Sequence, residues 1–213
     1  MIKKNNFPNK IPIFPLSEAI FFPKTILPLN IFEDRYIQLV NDCMRKNRMF
    51  GMVQPKNKIG KLPEVYDIGC LGKIISFNET SDNRFIISLS GIMRFRIKKE
   101  LEKEKLYRNF EVDYSEFLID LEEKNNKIIN YDKKNLLNKI KNFFQKVSCP
   151  IDYNEYAKLN LDHLVNTVAM ISPFSVEEKQ KIIETIKVED KAKILYEIVS
   201  FNLLNFQENK TMQ

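Results

Sequence analysis

The chain has 213 residues, enough for one large domain or two small ones, and 34 Lys and Arg against 28 Asp and Glu give a net charge of +6. Three cysteines without paired spacing and a single histidine exclude a disulfide framework and leave no ligand set for zinc. No apolar run reaches the roughly 18 residues that span a bilayer, and Met1-Ile-Lys-Lys-Asn-Asn6 lacks the apolar core of a signal peptide, so the expectation is a soluble, cytoplasmic protein.

Residues 1–9 read as a lead-in, and Ile11 to Leu16 as a short first strand that its prolines place near an edge. Ser17 to Lys24 is a loop, yet it carries Ile20, Phe21 and Phe22 in a row. These rings either plug one end of a barrel or form an exposed apolar patch for a partner. Ile26 to Phe32 is a strand with apolar residues on both sides, as in a covered sheet, and Pro28 marks an edge, a bulge or a strand end. Glu33 and Asp34 put negative charge where a helix begins, and Tyr36, Val40, Cys43 and Met44 continue as an amphipathic stripe.

Arg48 to Gln54 and Asp67 to Phe77 read as strands, the latter bent at Gly69 and Gly72. Thr80 to Asn83 is a turn, because Asp and Asn tolerate left-handed backbone. Phe85 to Ser90 returns as the partner strand, Gly91 allows a corner, and Met93, Phe95 and Ile97 point inward beyond it. Phe110, Val112 and Tyr114 alternate with Glu111, Asp113 and Ser115 in a last strand. If it pairs with the previous one, Arg94 and Arg96 face Glu111 and Asp113 across the sheet, the alternative for the two arginines being a phosphate site. Residues 1–118 therefore form a curved, mostly antiparallel sheet or barrel carrying one helix. Residues 119–135 are a linker, after which the apolar period changes from two to 3.6.

Leu136, Leu137, Ile140, Phe143, Phe144 and Val147 make the first helical face of a domain over residues 136–206. Leu161, Leu164, Val165 and Val168 make the second. Ser175 and Glu178 fit a capping box ahead of Ile182, Ile183 and Ile186. Asp190 can cap a last helix with the stripe Leu195, Val199, Leu203 and Phe206, followed by a polar tail over 207–213. Four helical segments are expected in all.

Ile11-Pro-Ile-Phe-Pro-Leu16, Phe22-Pro23 and Leu27-Pro-Leu-Asn-Ile-Phe-Glu-Asp-Arg-Tyr36 resemble the amino-terminal, substrate-binding domain of the Lon protease family, in its stand-alone bacterial form. Gly69-Cys-Leu-Gly72 and Ser90-Gly-Ile-Met-Arg-Phe-Arg96 extend the resemblance. It implies an α+β fold, a PUA-like curved antiparallel β pseudo-barrel with one helix followed by a C-terminal helical bundle. Two positions depart from the family pattern: Lys24 stands where glycine is frequent, and Ser81-Asp-Asn83 lacks the usual turn glycine.

No catalytic constellation is present. A phosphate-binding glycine loop and a nucleophile elbow are both missing. His163 reads as a surface or boundary residue, Cys149 as a packing or incidental thiol, and the Glu177–Glu178 pair as a helix cap. The resemblance implies a non-enzymatic module, without the ATPase and Ser-Lys protease domains of Lon and without a cofactor, that recognises unfolded or apolar polypeptide in protein quality control. Its partner would be an unfolded chain, a protease or a chaperone, with no membrane. The residues that would carry binding are Phe21, Phe22, Phe32, Arg35 and Tyr36. An RNA-binding module on the same barrel is the alternative, although lysine rather than arginine supplies the charge, and a small-molecule sensor is a third reading, weakened by the absence of tryptophan.

Overall fold

The computed structural model describes residues 7–17, 19–56, 63–102, 104–122, 131–149 and 151–211, with side chains described as far as residue 205. The chain divides into two compact units, Met1–Glu122 and Glu123–Gln213.

The first unit holds six strands: β1 (Lys10–Pro15), β2 (Ile26–Ile31), β3 (Met49–Val53), β4 (Ile68–Glu79), β5 (Phe85–Glu100) and β6 (Arg108–Asp113). One helix, α1 (Asp34–Met44), follows β2 directly. The sheet runs β2-β5-β4-β3-β1-β6, and a further β5–β6 pairing closes it into a pseudo-barrel. Every pairing is antiparallel except β1 with β3, where Ile13 lies opposite Gly51.

The long strand β5 makes closure possible. β4 pairs along its whole length, from Glu79 opposite Phe85 to Ile68 opposite Arg96. Its other edge is shared: β2 takes residues 85–90 and β6 takes residues 96–100. Side chains from alternate positions fill the interior, with Ile11, Ile13, Leu71, Phe95, Phe110 and Val112 in one cluster, as period-two patterning requires.

Between the two partners of β5 lies a corner, and two devices serve it. Gly91 is needed because a Cβ there would lie 2.1 Å from the Phe22 carbonyl oxygen, so only glycine admits the loop that crosses it. That loop buries Phe21 and Phe22, which keep 2% and 0% exposure, and the Thr25 hydroxyl donates to the Phe22 carbonyl at 2.6 Å. The second device is Asp120. Its carboxylate accepts from the Arg94 backbone N–H at 3.0 Å and from the guanidinium at 2.9 and 2.7 Å. A side chain thus takes the place of the missing strand.

This corrects the expected pairing of the arginines. Arg94 reaches Asp120 on a 3-10 helix (Ser115–Leu121), in a stretch the sequence reading split between strand end and linker. Arg96 lies opposite Asp113 in register, yet its guanidinium takes Glu116 at 2.7 and 2.9 Å. Asp113 and Glu111 pair instead with Lys98 and Lys99. Alternation places a residue on a face, but a non-strand segment crossing that face captures the longer side chains.

The second unit is helical: α2 (Lys133–Lys146), α3 (Tyr153–Lys158), α4 (Leu161–Ile171), α5 (Val176–Glu184) and α6 (Val188–Thr211). Side-chain caps start four of them. Asp132 accepts from Asn135 N–H, Asp152 from Asn154 and Glu155, and Asn160 from His163, while Ser175 and Glu178 exchange both bonds of a capping box, each satisfying amides that a helix start leaves open. The last helix, α6, packs on α2, α4 and α5. Within it Lys191 is fully buried and donates to Asp162 at 3.3 Å and Asn166 at 3.5 Å.

Three details differ from the periodicity reading. α3 was not anticipated, because none of its six residues is buried and it has no apolar stripe. α5 stops at Glu184, so Ile186 lies beyond it and is 43% exposed. α6 starts at Val188, placing Asp190 in its first turn rather than at its cap, where its charge still meets the positive end of the helix dipole. The side chain of Phe206 lies outside the described residues.

Candidate functional site

The five residues singled out by sequence occupy two places. Phe21 and Phe22 sit at the corner near Gly91 and Gly72, and their burial agrees with a plug and leaves no exposed ring in that loop. Phe32, Arg35 and Tyr36 lie where β2 passes into α1. Phe32 is beside Arg84, whose guanidinium stands 5.8 Å from the ring centroid. Phe85, next to Arg84, and Gly91 are six residues apart along β5, roughly 20 Å at about 3.3 Å per residue.

At the seam the three side chains differ. Phe32 is 62% exposed. Arg35 donates to Glu33 at 2.9 Å and stacks its guanidinium 4.5 Å from the Tyr36 ring centroid. Tyr36 itself is buried, stacked on Phe14 with centroids 3.9 Å apart, and burial raises its hydroxyl above the ordinary tyrosine value. Tyr36 is therefore a packing residue that orients Arg35, and Phe32 is the exposed ring of the seam.

The sheet next to Phe32 holds what sequence reasoning missed. The two-sided apolar pattern of β2 suggested a covered strand, but its outer side is open: Ile26 is 57% exposed, and Pro28 and Asn30 are exposed with it. Ile75 at 54% and Ile86 at 48% belong to the neighbouring strands β4 and β5. Pro28 does lie on an edge strand, β2, as its missing N–H suggested, whereas β1, which its prolines placed near an edge, is paired on both sides, with β3 and β6.

A cleft of about 580 Å³ opens elsewhere in this unit, between the end of α1, the edge of β1 and the β5–β6 loop, with Lys10, Asp42, Lys46, Asn47 and Glu104 in its walls. Tyr107 donates to Asp42 at 2.8 Å, which holds that carboxyl below the usual range, and Gln38 accepts from Leu106 N–H at 2.9 Å. These bonds fasten the loop to α1. Cys43, at the back, is pushed up to about 12 by burial and donates to the Met49 carbonyl at 3.3 Å, so it is no nucleophile at neutral pH. Mixed charge makes this cleft a polar site. Among the described residues no group of three His, Cys, Asp or Glu side chains is placed to hold a metal, and no helix is long and apolar enough to cross a membrane.

A pseudo-barrel with an exposed apolar sheet face, followed by a helical bundle, has relatives. The family model described as the ATP-dependent protease La (LON) substrate-binding domain matches residues 10–200. The chain belongs to this family. It is 24% identical over 203 residues to Lon protease 2 of Myxococcus xanthus, covering 94% of this chain and 24% of that one. Against the Lon protease of Dictyoglomus thermophilum it is 28% identical over 196 residues, covering 87% of this chain and 24% of the other. The chain thus spans about a quarter of the length of these curated relatives. The solved Lon N-terminal domain protein from Xanthomonas campestris superposes with a TM-score of 0.65 at 19% identity, over 87% of this chain and 96% of that one. The N-terminal domain of Mycobacterium avium complex Lon protease gives 0.65 at 13% identity, over 90% and 98%. These two likenesses establish the α+β fold.

Proposed function

We propose that this protein is a non-catalytic binding module that captures unfolded or apolar polypeptide segments and delivers them, as a cytoplasmic adaptor, to a protease or chaperone. The observation that carries the reading is membership of the Lon substrate-binding family over residues 10–200. Physically, capture of unfolded chains requires apolar surface that stays exposed in the free protein, and Ile26, Phe32, Ile75 and Ile86 supply it. Phe32 and Arg35 are the seam residues that contribute to binding, with Tyr36 holding Arg35 in place.

Fluorescence anisotropy with labelled β-casein, which is unfolded in solution, tests the reading against a labelled RNA 20-mer. Saturable casein binding that persists between roughly 50 and 200 mM salt is expected, because apolar contacts are not screened, whereas contact with phosphates weakens steeply over that range. Binding of RNA alone, with sequence preference, would replace this reading by the RNA-binding one.

A further inference from the structure

The outer face of the β2 end of the sheet has an unusual composition. Register aligns three rows across β2, β5 and β4: Ile26, Ser90 and Lys73; Pro28, Ser88 and Ser76; Asn30, Ile86 and Asn78. Lys73, at a corner, is the one charged member, in a chain of which 29% is charged. Ile75, the extra residue of the irregularity between Ile74 and Ser76, adds exposed apolar surface, and Phe32 extends the β2 column. The face is about 10 Å wide and about 20 Å long, from strand spacing and rise.

The edge of β2 is less inviting than its face. Gly91 N–H donates to the Thr25 carbonyl at 2.9 Å, so the antiparallel alternation turns the backbone groups of Leu27, Leu29 and Ile31 toward β5 and those of Ile26, Pro28 and Asn30 outward. Pro28, at the centre, has no N–H to offer. An added strand would meet a gap in the middle of its ladder, which is how edge strands resist such pairing.

We propose that this face is the docking surface for an extended, uncharged segment of about six residues of another polypeptide, gripped through its side chains and not by strand addition. The proposal deepens the polypeptide-binding reading and rests on it. Charge complementarity selects the occupant. A lysine or glutamate brought over the serine and isoleucine rows would lose water and find no counter-charge, whereas apolar side chains gain by covering Ile26, Ile86 and Phe32. Lys73, in the Ile26 row, and Arg84, beside Phe32, bound the field, so charges flanking the segment stay in solvent.

Anisotropy with the full chain and a fluorescein-labelled, end-blocked 12-residue apolar peptide tests this, alongside versions carrying two central lysines, two central glutamates, or N-methyl groups on alternate central amides. Wild type is expected to prefer the uncharged peptide about tenfold or more over both charged ones and to accept the N-methylated one within about threefold. Ile26→Lys with Ile86→Lys, both exposed positions whose change leaves the core intact, should reverse the preference toward the glutamate peptide. Lys46→Glu, in the polar cleft, should change nothing. If the double variant binds casein and the uncharged peptide as wild type does, the face is not the site although polypeptide binding stands. Loss of binding on N-methylation would mean edge pairing and also overturn the proposal. If wild type binds neither casein nor any peptide, the broader reading falls with it.

Discussion

Arg94 is the largest side chain buried without exposure, and the geometry around it explains why the corner tolerates a charge. Its guanidinium is held by two Asp120 oxygens and lies 4.6 Å over the Phe117 ring. Removing one partner strands the other charge away from water, which costs about 3–5 kcal/mol. Asp120→Ala is therefore expected to lower unfolding stability by that amount in urea titrations. Arg94→Met with Asp120→Leu should cost clearly less than the two single changes together. Cys43 supplies a second residue-scale prediction. Burial moves its thiol from 9.0 to about 12 and raises the Tyr107 and Tyr114 hydroxyls as well. The folded state therefore keeps these groups neutral while the unfolded chain ionises first. Stability is complete below pH 9 and declines as pH rises above it, visible as a falling melting temperature in an alkaline series. Native alkylation at pH 8 should label exposed Cys149 and spare the buried Cys43 and Cys70.

At the scale of elements, the two departures from the family's glycine pattern become readable as backbone geometry. Lys24 has φ 63° and Asn83 has φ 60°, both left-handed, where glycine has no Cβ to clash. Asparagine accommodates this region and lysine does so at a cost. Lys24→Gly is expected to raise stability by about 0.5–1 kcal/mol, measured as a shift in urea midpoint, while Asn83→Gly should change it less. The capping box gives the opposite sign. Ser175→Ala removes the bond to Glu178 N–H at 3.2 Å and should cost about 1 kcal/mol. Elements with a strong stripe or cap were legible, including α1, α2, α4, α5 and all six strands to within a few residues. α3 was not, since a six-residue helix that buries nothing leaves no period to find.

Over the whole molecule, two units each hold their own buried side chains. In the helical one, Leu136, Ile140, Phe143, Leu164, Val168, Ile182, Leu195 and Val199 have 0–1% exposure, and α6 touches three of its neighbours. A fragment of residues 131–211 is therefore expected to fold alone, with a helical circular dichroism spectrum and a cooperative melt. Failure to melt cooperatively would show that this core is insufficient.

Periodicity, caps and turn chemistry act between residues close in sequence, so the chain by itself determined the strands, most helices, the Thr80–Asn83 turn and the two-part α+β organisation. The family resemblance was equally local, carried by Leu27 to Tyr36 and by Ser90 to Arg96. Only the tertiary structure decided that the side of β2 carrying Ile26 would stay open, that Phe21 and Phe22 plug a corner, and that Asp120 reaches Arg94. Those outcomes depend on which distant segment crosses a face, and burial of an apolar side chain is non-directional: it states that a ring seeks cover, and the fold alone supplies the covering partner.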